Sequence, residues 1–269
     1  MTRSPGTIQK DAARIAGMFD AIAPRYDALN RLLSAGFDRR WRARAIDALD
    51  LRGDETVVDL CTGTADLALA AVRARPTGAR RVVGLDFAAE MLRHGARKLG
   101  RDPAGSRVRL LRGDASRLPL ADRSVDVVTI GFGIRNVEEP RAACGEMRRV
   151  LRPGGRLAIL EFGMPSSTLL RGLYQWYFTK VLPRVGRALS RHSDAYDYLP
   201  GSVQAFLSPA ALSHLLGASG FTQVRCVSLT FGVVYLHLAV RGEASPQRGT
   251  LTTACRPPAR ERVQTDELL

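Results

Sequence analysis

The sequence predicts an α/β fold, a mostly parallel, doubly wound sheet flanked by helices. Three observations predict it. Short β-branched runs such as Thr56–Leu60 and Arg81–Asp86 alternate with Ala/Leu-rich helical stretches. The runs are apolar almost throughout, as strands covered on both faces are. Several end in an acidic residue followed by a turn, the edge where such sheets bind ligands.

Each element follows from its local pattern. Ile15, Met18, Phe19 and Ile22 recur at i, i+3, i+4, i+7 and make one helix face from Ala12, which Pro24 ends. Helices follow at Tyr26–Leu33 and Phe37–Leu49, then a turn at Gly53-Asp54. Strands are expected at Thr56–Leu60, Arg81–Asp86, Val108–Arg112 and Ser124–Ile130, with helices at Ala65–Arg75, Ala88–Gly100 and Pro140–Leu151. The turn Arg152-Pro153-Gly154-Gly155 leads into strand five, Arg156–Phe162. Leu169–Leu189 reads as an aromatic-rich helix broken at Pro183. In Ser208–Ser219, Ser208 caps the helix, Pro209 suits its first turn and Gly220 ends it. Two late strands, Gln223–Leu229 and Val233–Val240, follow. The expected organisation is a helical lid over residues 1–50 and a main domain over 51–241. Residues 164–208 form a helical, substrate-covering insertion after strand five, and 242–269 a disordered tail rich in Pro, Thr, Arg and Gly.

With 269 residues and 45% apolar content, the chain suits one α/β domain with at most a small appendage. Its formal charge is +14, and only Lys10, Lys98 and Lys180 among the 40 basic residues are lysines. A solvated arginine-rich surface accounts for that charge, which also favours anionic partners. Cys61, Cys144, Cys226 and Cys255 are widely spaced and suggest neither a zinc site nor a disulfide framework. His94, His192, His214 and His237 have no metal-ligand spacing, so no metal is expected. The first residues lack the apolar core of a signal peptide, and no stretch is long and apolar enough to span a bilayer. The expectation is a cytoplasmic protein.

Chemistry concentrates at the strand ends. Asp59-Leu60-Cys61-Thr62-Gly63-Thr64-Ala65-Asp66 is a tight strand-to-helix loop in which Gly63 allows close backbone approach. It is neither G-x-G-x-x-G nor a P-loop. Alone it is equally a turn with no ligand. Asp86 ends the second strand, where an acidic side chain reaches ribose hydroxyls. Asp114 and Ala115 end the third, placed for an adenine amino group and its ring. An acidic, glycine-poor edge suits a cationic cofactor without phosphates, and S-adenosylmethionine is one.

The chain resembles class I methyltransferases with a Rossmann-like fold, and more narrowly the UbiE/MenG family of quinone-biosynthesis C-methyltransferases. The resemblance runs from about Ile15 to Arg241. It rests on Tyr26-Asp27-Ala28-Leu29-Asn30 with Trp41 following, on Gly131-Phe132-Gly133-Ile134-Arg135-Asn136-Val137, and on Arg149-Val150-Leu151-Arg152-Pro153-Gly154-Gly155 leading into Leu160-Glu161-Phe162. Departures are Asp38 where the family has His, Gly131 and Gly163 where it has Ser, and Ala65 where many methyltransferases have Gly. The resemblance implies that Thr64 and Asp86 meet the methionine and ribose portions of the cofactor, and Asp114-Ala115 the adenine; Asp59, Gly63 and Gly131 complete the cofactor set. It implies a polyprenyl quinol substrate, demethylmenaquinol or a methoxy-polyprenyl-benzoquinol, methylated on ring carbon. Such a reaction needs a deprotonated quinol held in line with the donated methyl group. Arg135 is the candidate that stabilises the quinolate and Asn136 the one that orients it. Arginine is a poor proton acceptor, so water or another side chain takes the proton. Tyr26 and Tyr198 are candidates for the quinol pocket.

The apolar tail implies peripheral, transient contact with the inner face of a membrane, to which the Leu169–Leu189 helix is suited. A homodimer is compatible with the sequence. No nucleic acid is expected, since N/D-P-P-Y/F is absent after strand four. The alternatives are a methyltransferase of another small molecule and a non-catalytic cofactor-binding subunit of a quinone-synthesis complex.

Overall fold

The computed structural model describes residues 12–74, 76–165, 167–176 and 194–242. Seven strands form one sheet in the order β3-β2-β1-β4-β5-β7-β6. They are β1 (Thr56–Leu60), β2 (Arg81–Asp86), β3 (Val108–Arg112), β4 (Val125–Gly131), β5 (Leu151–Phe162), β6 (Phe221–Leu229) and β7 (Val234–Arg241). The first five run parallel; β7 pairs antiparallel with both β5 and β6. The doubly wound, mostly parallel expectation therefore holds.

Alternate residues of the central strands serve two separate cores. Val58, Val128 and Ile159 face one, which α6 (Pro140–Val150) and a late helix, Pro209–Ala218, complete through Met147 and Leu212. Val57, Val127 and Ala158 face the other, with Trp41 of α3 (Phe37–Asp47) and Leu67 of α4 (Asp66–Arg73). Covering both faces is what lets β1 be buried at all five positions. Helix α5 (Ala89–Leu99) packs on β2 and β3. The N-terminal helices are α1 (Ala12–Ile22) and α2 (Tyr26–Leu33), separated by a 3-10 turn at Pro24. Helix α1 lies against α5.

Four boundaries differ in informative ways. Helix α4 begins at Asp66 because Ala65 takes a left-handed φ of +67°. The Arg152–Gly155 turn lies within β5: Leu151 pairs with Val125, the register shifts, and pairing resumes at Arg156–Val127. Gly154, at φ +74°, makes that irregularity possible. The last two strands begin or end a residue or two from the expected places. A helix at Asp194–Ala205, inside the expected helical insertion of 164–208 but without bounds in the sequence pattern, contains Pro200-Gly201 yet packs against α1 and the 3-10 turn Ile134–Asn136. We number it α8, after α7 (Thr168–Trp176); Pro209–Ala218 is α9. Ser208 caps α9 as expected, accepting from Ala211 N at 3.2 Å. Helix α7 covers the start of the expected Leu169–Leu189 helix; its remainder, and the expected tail beyond Gly242, lie outside the described residues. Among the described residues, Cys61 and Cys144 are free thiols. No helix among the described residues is long and apolar enough to cross a membrane.

Candidate active site

The loop after β1 is held from below. Asp59 sits opposite Thr129 in the β1–β4 register, and its wholly buried carboxylate accepts the Thr129 hydroxyl at 2.7 Å and the Thr62 hydroxyl at 2.6 Å. Burial pushes this carboxyl up to about 6, against the pull of the two hydroxyls. Asp59 therefore props the loop. Cys61, Gly63 and Ala65 all take positive φ, so the chain coils tightly toward the head of α4. For Cys and Ala that costs about 1 kcal/mol each. Asp86 supplies the clamp: its carboxylate accepts Gly63 N–H at 2.7 Å and Ala88 N–H at 2.9 Å. Burial nonetheless leaves Asp86 above the usual carboxylate range. A Cβ at Gly63 would lie 3.3 Å from Met91 Cε, so the backbone, bare of side chain, forms this wall.

Gly63, Asp86, Gly131 and Asn136 line one crevice, with Phe19 and Tyr26 of the N-terminal helices across it. Other expected residues lie elsewhere. Thr64 turns to the opposite side of the loop, where its hydroxyl donates to Asp27 and accepts from Lys98 Nζ at 3.1 Å, bordering a separate polar cavity. Asp114 is exposed at the end of β3 and accepts from Ser116 N at 2.8 Å; Ala115 beside it is buried.

Past β4 the chain closes on the same loop. A Cβ at Gly133 would fall 2.2 Å from Cys61 Cβ, so only glycine lets these two strand ends meet. The turn after Gly133 buries Arg135 and Asn136. Arg135 Nη1 pairs with Glu161 Oε1 at 2.8 Å and also donates to the Phe132 carbonyl, while Arg135 N–H donates to Glu161 Oε2 at 3.2 Å. Its Nε donates to Ser202 Oγ of α8 at 3.4 Å, and the guanidinium stands 5.4 Å from the Phe162 ring centroid. Glu161 lies in the motif that ends strand five, but nothing in the sequence ties it to Arg135. Tyr198 of α8 donates its hydroxyl to Asn136 Oδ1 at 3.2 Å. Burial raises the Tyr198 phenol, and Arg135 partly offsets that.

A second, larger cavity of about 680 Å³ opens on the other side of this cluster. Arg135 and Tyr198 lie on its wall together with Tyr26, which borders both spaces. Most of its lining is apolar, including Leu29, Leu33, Phe162 and Val233. Trp41 anchors the wall, donating to Thr230 Oγ1 at 2.8 Å and meeting Phe132 and Phe162 edge-on or tilted. Asp38, at the family's His position, is buried and paired with Arg42 at 2.5 Å.

The crevice residues fit S-adenosylmethionine. The Asp86 carboxylate at the end of β2 suits hydroxyl donors and a cationic ligand, and a glycine-rich phosphate cradle is missing from the loop. Among the described residues no group of three His, Cys, Asp or Glu could hold a metal.

Comparison with known proteins agrees. Residues 7–241 match the ubiE/COQ5 methyltransferase family. A demethylmenaquinone methyltransferase from Thermus thermophilus is 48% identical over 224 residues, 83% of this chain and 100% of that protein. The ubiquinone/menaquinone biosynthesis C-methyltransferase UbiE of Syntrophotalea carbinolica is 47% identical, over 83% of this chain and 92% of its own. Among solved structures, a SAM-dependent methyltransferase from Thermotoga maritima shares the fold with a TM-score of 0.58 at 18% identity, covering 84% of this chain and 99% of that one. The chain belongs to the ubiE/COQ5 methyltransferase family, and it is an enzyme whose methyl donor is S-adenosylmethionine.

Proposed function

We propose that the enzyme methylates a ring carbon of a polyprenyl quinol, and that demethylmenaquinol is its substrate. One observation carries this reading: an apolar cavity of about 680 Å³ meets the Arg135–Asn136–Tyr198 cluster, on whose far side lies the cofactor crevice. That volume is in the range of small-molecule sites. The names of the relatives support the quinone, and the demethylmenaquinone methyltransferase name supports the naphthoquinol.

When bound, S-adenosylmethionine supplies an electrophilic methyl group on its sulfonium sulfur. Gly63, Asp86 and Gly131 line the space for it, and by family resemblance Asp114 and Ala115 serve its adenine end. Asp59 and Thr64 act through the loop, which they hold from below and from behind. Arg135 lies on the wall shared with the quinol head and makes no hydrogen bond through Nη2 among the described residues. That nitrogen is available to a quinolate oxygen, whose charge it would stabilise in a water-poor site. Asn136 and Tyr198 form one polar unit that orients the ring. Tyr26 separates the two spaces and brings the N-terminal helices over both. The prenyl tail lies along the apolar wall, and it brings the enzyme to a membrane surface.

Lipid quinone profiling of a deletion strain tests the substrate. Demethylmenaquinone should accumulate, and the intact gene should clear it while an Arg135→Ala version does not. An unchanged naphthoquinone profile would refute the assignment.

A further inference from the structure

The mouth of the large cavity has an unusual surface. Seven large apolar side chains are exposed among the described residues, and five gather here. Leu32, Phe37, Trp176 and Phe231 line the cavity while being 38% to 77% exposed. Leu169, 84% exposed, is next to Leu170, which also lines it. They come from α2, α3, α7 and the turn before β7, so the clustering arises from the fold. A patch of this kind costs solubility and marks an interaction face.

Its charge is one-sided. Arg40 and Arg171 are exposed beside the apolar residues, and Arg31 and Arg39 are exposed on the same helices, α2 and α3. Arg40 stands 5.3 Å from the Phe37 ring centroid, and Arg171 Nε donates to the carbonyl of Pro165, itself on the cavity wall. Asp38 is the only acidic residue lining the cavity among the described residues, and it is buried against Arg42. Protruding aromatic and aliphatic tips ringed by guanidinium groups match an interface of acyl chains under anionic headgroups.

We propose that this rim is a membrane-docking face, that its partner is an anionic lipid bilayer, and that the quinol enters the cavity through it directly from the lipid. The proposal rests on the polyprenyl-quinol reading of the same cavity. It explains why the cavity opens where the surface is apolar: a tail passing through this mouth never crosses water.

Flotation of the full chain with phosphatidylcholine vesicles, with and without phosphatidylglycerol, tests it. The intact protein should float with the anionic vesicles, less so at high salt. Leu169→Ser with Phe231→Ser should lower partitioning at least about tenfold, since two large apolar side chains lose their burial in lipid. Arg39→Glu with Arg40→Glu should lower it by at least about tenfold on anionic vesicles only. These side chains are exposed, so unchanged thermal melting should show that the fold is kept. Undiminished flotation of both variants overturns the proposal. So does a dimer that the apolar pair dissociates without changing flotation, for the rim would then be a face for a second copy. A parallel assay with a short-tailed, water-dispersible demethylnaphthoquinol separates the two readings. Turnover without vesicle binding sinks the docking face alone; vesicle binding without turnover sinks the substrate reading on which it rests.

Discussion

Glu161 and Arg135 work as a unit. Both are nearly inaccessible to solvent, and burying either charge alone would cost several kcal/mol. Removing the carboxylate therefore frees the guanidinium to swing away from the cavity wall. Glu161→Gln is expected to cut kcat by tenfold to a hundredfold, leave binding of S-adenosylmethionine within about twofold, and lower stability by about 3 kcal/mol. Steady-state kinetics and a donor-binding titration check this; equal loss of donor binding would mean a general structural role. Asp59 gives a second test. Its folded-state pKa of about 6 lies above the ordinary 3.8, so the fold disfavours its charge. The folded protein binds the proton more tightly, and stability from this group is full below 3.8 and lost as pH rises through 6. Asp59→Asn should thus gain on the parent protein between pH 5 and pH 8, by on the order of 1–3 kcal/mol. Melting curves at the two pH values would show it, and a constant difference would contradict it. At this scale the sequence reading was half complete. Asp86 was singled out by its place at a strand end, Gly131 and Asn136 through the family resemblance, and all three line one crevice. The prop role of Asp59 and the Glu161 partnership were not, because both depend on pairing between strands.

Loops and helices carry the next level. The β1–α4 loop and the turn after β4 approach so closely that Gly133 has no room for a Cβ. Gly133→Ala should destabilise by about 3 kcal/mol, the upper range for overpacking, or roughly 6–12 °C in Tm. The obstructing atom is Cys61 Cβ, and Cys61 has a φ of +52° that glycine adopts freely. Cys61→Gly should therefore rescue Gly133→Ala, which a double-mutant cycle in thermal melts reads directly. No rescue would mean that the two loops do not meet as described. Helix α9 offers a pH handle. His237 on β7 bonds the Pro209 carbonyl through Nε2 at 2.9 Å, while its buried Nδ1 has no hydrogen-bond partner among the described residues. Burial lowers its pKa to about 4. Its contribution is full above 6.5 and lost as pH falls from 6.5 through 4, on the order of 3 kcal/mol at the acid end. In acid titrations followed by circular dichroism, His237→Gln should flatten that portion of the stability curve, and an unaltered curve would contradict it. Elements with a clean period were legible in the sequence; α8 was not, because Pro200-Gly201 breaks the pattern that its packing against α1 restores.

The whole molecule places two spaces on either side of one polar cluster. In the proposed reading, the crevice at the carboxyl ends of β1, β2 and β4 takes the donor, and the apolar cavity under the N-terminal and late helices takes the acceptor. The doubly wound sheet was legible because buried parallel strands are short, apolar and evenly spaced. The cavity was not, since its wall gathers residues from α1, α2, α3, α7, α8 and the turn before β7. Motifs mark the chemistry at the sheet edge, while the shape of the acceptor pocket emerges only when distant helices meet. The most direct measurement is product analysis after the purified enzyme acts on demethylmenaquinol with a deuterated-methyl donor. The account predicts a labelled methyl on the quinol ring carbon, and a loss of at least about a hundredfold in Arg135→Ala with donor binding retained. A label on the quinol oxygen, or full turnover by Arg135→Ala, would contradict it.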